Sequence, residues 1–305
     1  MDIKNIEDQK KVFKDYTGKY ITDADEKTIG GYEDKQAHSL FVMEEALLVD
    51  ALFTEYNESF KNLLALESLF HDIGRFEQLK VTGSFRDNEL NLHYPSMEDH
   101  GDLGSFIIDE HGLLKKLIPD VRIYDEEVRK VIQLHSKINQ NLLVDIMRDY
   151  LLAFKNYDLR ELFLSNKSGK EKETLTRVNT AIIQDVDRLD IFRKIVKGIW
   201  VPMVTDEKID PEIFELFKQG KLPSMNEIKQ AGKWNANVGH LVRMSFINQM
   251  NLVPVLMSIR KENLIDKVYE ASGNEKVLPA YEYAKEQLDK AINSSEDGIV
   301  VNRNK

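Results

Sequence analysis

The chain has 305 residues, and Asp and Glu (52) outnumber Lys and Arg (42), which gives a formal net charge of −10 at pH 7. Such an acidic surface repels nucleic acid and anionic lipid, so we expect no non-specific nucleic-acid binding. The absence of Cys excludes disulfides, thiolate nucleophiles and iron–sulfur clusters. There is no signal-peptide pattern at the start and no apolar run of about 18 residues, so we expect a cytoplasmic protein without membrane contact.

Apolar residues recur at helical spacing in six stretches. They predict helices over 35–55, 60–73, 125–135, 178–198, 240–260 and 276–294. Gly (15) and Pro (7) are scarce, which also favours helices. We therefore predict an all-α fold, a helical bundle with additional C-terminal helices. Residues 1–220 are predicted as the first domain, and residues 221–305 as a helical extension packed on it.

Two segments between these helices lack a sustained period. Residues 74–95 are polar, contain Gly and Pro, and follow a helix end predicted at Gly74, so we predict a long loop. A loop of this length inside a compact domain is often functional. A further helix is predicted after Pro95, with Ser96 as its cap. Residues 165–175 are predicted as an exposed turn.

Histidine and aspartate residues occur at the apolar faces or ends of the predicted helices. The residues concerned are His38, His71, Asp72, His100, His135 and Asp187. An ionisable group inside a core is costly unless it is paired or bound to a metal. Imidazoles and carboxylates are common ligands of divalent cations. The side chains of His71 and Asp72 point about 100° apart around a helix, but near a helix end both can reach one site. The pattern therefore predicts a metal centre.

The order of His38, the pair His71-Asp72 and Asp187 resembles the H…HD…D signature of the HD superfamily of metal-dependent phosphohydrolases. His100 and His135 are similar to the two additional ligands of its binuclear members, such as HD-GYP phosphodiesterases and myo-inositol oxygenase. The run HDIGRFEQ is closest to bacterial HD proteins without an assigned substrate. The chain has no GYP motif, no Pro-rich run after HDIG and no synthetase domain, so the substrates of those branches are not implied.

The resemblance makes residues 1–220 an HD domain and implies two divalent metal ions per chain. One ion would be held by His38, His71 and Asp187, the other by His100 and His135, with Asp72 as the bridge and a catalytic residue. A metal-activated hydroxide would then attack phosphorus in line. Mn, Fe, Ni, Co and Zn all suit nitrogen and oxygen ligands. Two alternatives stay open: Asp185 in place of Asp187, and a single ion with His100 and His135 as core histidines.

Cations close to this pattern are candidates for binding a phosphate group. Arg75 directly follows HDIG, and Lys137 comes shortly after the last histidine of the pattern, so both are expected at the mouth of the site. We predict both as catalytic and substrate-binding residues. Arg86, together with Asp87, lies in the predicted loop and is expected to reach over the site as part of a lid. The alternative for Arg75 and Lys137 is pairing with nearby acids.

These residues predict a metal-dependent phosphohydrolase, a phosphomonoesterase or phosphodiesterase, whose small phosphorylated substrate is expected to be a nucleotide. One alternative is a mixed-valent di-iron oxygenase of the myo-inositol oxygenase type, since it uses the same six ligands. Another is a non-catalytic nucleotide-sensing HD module. His93, His111 and His240 are expected to be structural. The apolar stripe at 250–257 fits either the core or the interface of a homo-oligomer.

Overall fold

The computed structural model describes residues 3–53, 58–118, 124–137, 169–200, 203–223, 225–296 and 299–300. In these residues the secondary structure is helical, apart from a short antiparallel pairing of Ser295–Glu296 with Ile299–Val300. The predicted all-α fold is confirmed. None of the described helices is long and apolar enough to cross a membrane.

The helices described before residue 138 include both long and short ones. In chain order they are α1 (Ile6–Asp23), α2 (Ile29–Phe53), α3 (Glu58–Phe70), α4 (Gly74–Thr82), α5 (Asp87–Leu90), α6 (His100–Glu110), α7 (Leu113–Leu117) and α8 (Asp125–Leu134). Their core includes Phe13, whose ring packs edge-on against Phe70 and Phe76 at centroid distances of 5.3 and 6.1 Å. Such buried aromatic side chains contribute most of the apolar area that holds helices together.

The later helices follow after residues 138–168. They are α9 (Gly169–Val196), α10 (Pro211–Lys218), α11 (Met225–Gln230), α12 (Ala236–Gln249), α13 (Val253–Lys261), α14 (Leu264–Ser272) and α15 (Leu278–Asn293), with a 3₁₀ turn at Glu275–Val277. The single helix predicted over 240–260 is two helices, because the chain leaves helical geometry at Met250 and α13 restarts with Pro254 in its first turn.

The chain divides into two compact units, Met1–Val186 and Asp187–Lys305. The first unit has a core formed by α1, α2, α3, α6 and α8, and the second has a core in which Phe217, Tyr281 and Leu256 are buried. The division lies within α9. The predicted boundary at residue 220 concerned the extent of a family domain and stays a prediction.

The loop predicted over 74–95 is wrong at residues 74–82, which form α4, and at residues 87–90, which form α5. Gly74 does not end a helix. A Cβ atom at this position would lie 2.2 Å from the backbone oxygen of His100 and 2.6 Å from the backbone nitrogen of Gly104, so only glycine lets α4 pack this closely on α6. The residue that ends α4 is Gly83, in the left-handed conformation with φ of 69°.

The start of α6 also differs from the prediction. The helix begins at His100, and its N-cap is Asp99, whose carboxylate accepts hydrogen bonds from the backbone N–H groups of Gly101 and Asp102. Ser96 is therefore not the cap. The turn predicted over 165–175 is helical from residue 169 onward, and its first four residues lie outside the described part of the chain.

Glycine also sets the distance between α6 and α8. A Cβ atom on Gly101 would lie 2.6 Å from Ser136 Oγ and 2.9 Å from the backbone oxygen of Gln133. On Gly104 it would lie 3.0 Å from Ile132 Cγ2. Because α4, α6 and α8 approach each other through glycines, the histidines at the ends of α6 and α8 come close to the turn that follows α3.

Candidate metal centre

Asp72 lies at the middle of a group of four histidines. Its Oδ2 atom is 3.5 Å from His38 Nε2 and 3.7 Å from His71 Nε2. Its Oδ1 atom is 3.3 Å from His100 Nε2 and 3.5 Å from His135 Nε2. The ligand atoms within each half lie close enough together to hold a metal ion. The carboxylate therefore separates two sets of potential ligands, one at each oxygen.

Three helices and the turn after α3 supply these side chains, and helix ends place most of them. His38 comes from the middle of α2, and His71 lies in the turn after α3. His100 is the first residue of α6, and His135 is the C-cap of α8. All four histidines and Asp72 are at most 6% exposed. Polar groups buried to this degree need partners, so the cluster costs stability unless cations satisfy it.

The imidazoles of His71, His100 and His135 are oriented by hydrogen bonds at Nδ1. His71 and His135 direct Nδ1 to the backbone carbonyl three residues earlier, at 2.7 and 2.6 Å. His100 directs Nδ1 to Asp87 Oδ1 at 3.1 Å. Because an oxygen accepts a proton from Nδ1, the Nε2 atom of each neutral ring carries a lone pair that points at Asp72. This is the orientation that metal-binding histidines have in proteins.

The distance between His100 and His135 tests whether the site fits a cation. Their Nε2 atoms lie 3.1 Å apart, and in the neutral rings both present lone pairs. Two facing lone pairs repel unless a proton or a metal ion lies between them. The nitrogen and oxygen donors of this half therefore suit a divalent transition metal.

The charges around Asp72 keep it ionised. Burial raises the pKa of this carboxyl, but the charge of Lys35 and the neighbouring imidazoles of His71, His100 and His135, which favour the ionised carboxylate when they carry an additional proton, outweigh burial and hold the pKa well below its usual range. An ionised Asp72 presents negative charge to both halves of the cluster.

The pKa of His100 is set by opposing effects. Burial and the Arg75 guanidinium lower the pKa of His100, but its hydrogen bonds with Asp72 and Asp87 outweigh them and raise it above the usual value. A positive charge is therefore favoured at this imidazole, whether a proton or a metal ion supplies it.

Lys35 is the residue of the site that the sequence reasoning missed. Its Nζ atom donates to Asp72 Oδ2 at 2.6 Å, and the side chain is almost fully buried. Lys35 precedes His38 by three residues on α2, so the two share a helix face. A cation one turn before a predicted ligand is the signal that could have identified it.

Arg75 lies beside the cluster as predicted, but protein groups surround its guanidinium. Its Nη1 atom donates to Gln78 Oε1 at 2.7 Å, to the Phe85 carbonyl at 2.8 Å and to Asp87 Oδ1 at 3.0 Å. Its Nε atom lies 3.8 Å from Asp72 Oδ1. Arg75 thus ties the chain after α4 to the residue that orients His100.

Asp87 is the carboxylate that contacts both Arg75 and His100. Burial raises the pKa of Asp87, but its hydrogen bond with His100 and the charges of His100 and Arg75 lower it to about 2. The carboxylate is therefore ionised at neutral pH, and it accepts the proton on His100 Nδ1. Asp87 orients a potential ligand instead of reaching over the site as a lid.

The two other predicted substrate-binding cations pair with acids. Lys137 Nζ donates to Asp102 at 3.1 Å and lies 3.4 Å from Glu98, and it lines an open groove of about 390 Å³ beside α6 and α8. Arg86 is largely exposed, with its guanidinium 3.4 Å from Glu89. Arg75 and Lys35, not these two, are the cations that the structure brings to Asp72.

The remaining predicted ligand, Asp187, is half-buried on α9 and is the first residue of the second unit. Its rival Asp185 is fully buried on the same helix. Asp187 comes three residues after Gln184, so these two side chains share a helix face. The assignment of Asp187 as a ligand stays a prediction.

No family model, no curated protein and no solved structure matches this chain. The HD resemblance therefore stays a hypothesis that depends on the order of the six motif residues. The fold and the site define a coarser class: an all-α protein with buried His and Asp groups that could hold metal ions. Five of the six motif residues meet in one cluster.

Proposed function

We propose that this protein is a metal-dependent phosphohydrolase that acts on a small phosphorylated substrate. It would hold two divalent ions that share Asp72 as a ligand. The observation that carries the proposal is the position of Asp72, which has two imidazoles at Oδ2 and two others at Oδ1. A carboxylate with ligands at both oxygens suits the bridging role in a two-metal site. The order of these residues along the chain supports an HD-type enzyme.

The residues present fit such ions in number and kind. His38 and His71 would hold one ion with Asp187 as the proposed further ligand, and His100 and His135 would hold the other. Bound divalent ions make a hydroxide available near neutral pH and offset charge that develops on phosphoryl oxygens. Ligation by nitrogen and oxygen is compatible with Mn, Fe, Ni, Co or Zn.

The chain's own cations would bind the substrate. The ammonium of Lys35 and the guanidinium of Arg75 lie at opposite oxygens of Asp72. Positive charge on both sides of the carboxylate attracts a phosphate ester despite the overall charge of −10. The Phe85 ring, 5.6 Å from Lys35 Nζ, adds an apolar wall next to the ammonium. In a nucleotide substrate, the planar base would be the group that packs against this ring.

The test begins with the metal content of protein purified without a chelator, followed by hydrolysis assays over a panel of phosphomonoesters and phosphodiesters. We expect two ions per chain and metal-dependent release of phosphate. Removal of the metal with a chelator, and the variants Asp72→Ala and Asp187→Ala, should reduce hydrolysis to background while the helical circular dichroism is retained.

The matched control is Asp109→Ala, which removes an exposed acid of α6 that lies 3.7 Å from Arg129. This variant should retain both metal and activity. A protein that binds no ion, or a metal-loaded protein that hydrolyses nothing in the panel, would contradict the proposal. Iron as the bound metal together with consumption of oxygen would support the di-iron oxygenase instead.

A further inference from the structure

Gln184 connects α9 to the end of α8, where His135 lies. Its side-chain amide donates to three backbone carbonyls, those of Leu134 at 3.2 Å, His135 at 3.0 Å and Lys137 at 2.8 Å. The side chain is 6% exposed. The connection is long-range, because 49 residues separate Gln184 from His135.

The end of a helix needs such a partner. The last four carbonyls of an α-helix have no N–H donor within the helix, and a buried helix end without partners is unstable. α8 ends at Leu134, and His135 is its C-cap residue, so the backbone of His135 lies at the boundary of the regular helix. The amide of Gln184 supplies a donor to the carbonyl of Leu134, the last residue of α8, and to the carbonyls of His135 and Lys137 just beyond it.

The direction of the His135 imidazole depends on this backbone. Nδ1 of His135 bonds to the carbonyl of Ile132, and Nε2 then points at Asp72 Oδ1 and His100 Nε2. If the end of α8 frayed, the ring would lose the position that brings it to within 3.1 Å of His100. The other half of the cluster, His38 and His71, comes from α2 and the turn after α3, where Gln184 makes no described hydrogen bond.

We infer that Gln184 is a positioning residue of the metal centre, which fixes the end of α8 and so sets the metal affinity of the half formed by His100 and His135. The inference rests on the proposed metal-dependent function. It assigns Gln184 no contact with substrate or metal. Residues that orient metal ligands through a second layer of hydrogen bonds commonly change metal affinity about 10–100-fold when they are replaced.

The experiment measures metal binding directly, by equilibrium dialysis and by the visible absorption of added Co²⁺. In Gln184→Met, which keeps the length of the side chain without a donor, we expect one ion bound as in the unaltered chain and the other about 10–100-fold more weakly. Gln184→Glu should behave similarly, because its carboxylate oxygen would face three carbonyl oxygens. Gln184→Asn keeps the donor on a shorter side chain, so its affinity for the weakened ion should lie between those of the unaltered chain and Gln184→Met. It replaces Gln184→Met as the test variant if Gln184→Met does not fold.

Two further variants assign the effect to one half of the cluster. In a His38→Ala background, Gln184→Met should still weaken the remaining ion. In a His100→Ala background it should have no additional effect, because the half that it supports is already lost. Equal weakening of both ions, or an effect that persists in His100→Ala, would overturn the inference.

Gln9→Met is the matched control for stability. Gln9 is also a fully buried amide that donates to two backbone carbonyls, those of Lys4 and Asn62. Its loss should lower the melting temperature and leave both metal affinities unchanged. If the unaltered chain binds no ion, the proposed function fails and this inference with it. If the unaltered chain and Gln184→Met bind two ions equally well, only the role of Gln184 is wrong.

Discussion

Each of the two units buries histidine, but the ring nitrogens are used differently. In the C-terminal unit, Nδ1 of His240 bonds to the Tyr281 hydroxyl at 2.6 Å and Nε2 to the Met203 carbonyl at 3.1 Å. Protein groups thus occupy both nitrogens. In the N-terminal unit, His100 and His135 use Nδ1 for orientation and turn Nε2 toward a shared carboxylate. Burial of a histidine therefore does not by itself indicate a metal ligand, whereas an Nε2 atom directed at a shared carboxylate does.

The same contrast applies to the surrounding side chains. Asn237 in the C-terminal unit donates to the carbonyls of Thr205 and Glu207 and accepts from the Thr205 N–H, so its donors and acceptor are matched within the protein. Around Asp72, negative and lone-pair atoms converge from several helices and the available donors are cations. The first arrangement stabilises a loop, whereas the second is suited to binding.

The largest effect is expected from Gly74→Ala, which would break the close packing that brings His100 to the cluster. The added Cβ would lie 2.2 Å from a backbone oxygen of α6, so the helices must separate. We expect a loss of about 3 kcal/mol in the free energy of unfolding, together with weakened metal binding. Urea denaturation and metal titration measure the two effects.

Gly239→Ala in the C-terminal unit is the control for that substitution. Its added Cβ would meet Arg243 Nη1 at 3.6 Å, an ordinary contact, within the helix α12. Alanine is favoured over glycine inside a helix by roughly 0.5–1 kcal/mol, so this variant should be neutral or slightly stabilised. Equal stability of both variants would mean that α4 and α6 do not need glycine for their contact.

A smaller effect is expected from Asp87→Asn, which tests the difference between His100, a proposed ligand, and His240, whose two nitrogens both bond to protein groups. The change removes the negative charge that accepts the proton on His100 Nδ1 and should lower metal affinity at the half of His100 about 10–100-fold. Co²⁺ titration gives the affinity. Asp109→Asn, which changes an exposed acid on α6, the helix of His100, should leave the affinity unchanged. Unaltered affinity in Asp87→Asn would contradict the assigned role.

The smallest effect is expected from His240→Gln. Burial lowers the pKa of His240 from 6.5 to about 4, against the opposing hydrogen bond with Met203. Between these two values the unfolded chain binds the proton and the folded chain does not, so His240 makes stability fall as the pH falls below 6.5. Between pH 6.5 and 5.5 the loss should be about 1 kcal/mol.

The variant keeps a donor and an acceptor but does not titrate in this range, so its free energy of unfolding should fall less between pH 6.5 and 5.5. Urea denaturation at the two pH values measures the difference. The exposed His93, changed to Gln, should leave the pH dependence of the unaltered chain in place. An equal pH dependence in all three proteins would show that His240 is not the titrating group.

Local periodicity was sufficient for some of the helices, but the helix α1 (Ile6–Asp23) was not predicted. The helix predicted over 125–135 is α8, and that over 276–294 is α15, each within two residues at both ends. The helix α4 was missed because Gly74 was interpreted as a helix terminator. The need for glycine there comes from the backbone of α6, and no local pattern encodes the approach of a distant helix.

The contacts around the site were predictable only in part. Lys35 could have been found from its spacing to His38 along α2. Asp87 was predicted near the site as part of a lid, but neither its contact with His100 nor the role of Gln184 could be predicted. Asp87 and Gln184 are polar residues in ordinary local contexts, and they matter because folding places them against His100 and the end of α8. Roles of this kind arise from tertiary structure and leave no mark in the sequence around them.

The wide spacing of the cluster along the chain has a consequence for biosynthesis. Lys35 precedes Asp72 by 37 residues, and His135 follows His100 by 35. On the ribosome α1, α2 and α3 are synthesised well before the C-cap of α8, so they are available to pack through apolar contacts such as Phe13 with Phe70 before His135 is made. The half of the cluster formed by His100 and His135 is therefore completed later in synthesis than His38, His71 and Asp72, and the ion proposed for it would bind after the first helices are available.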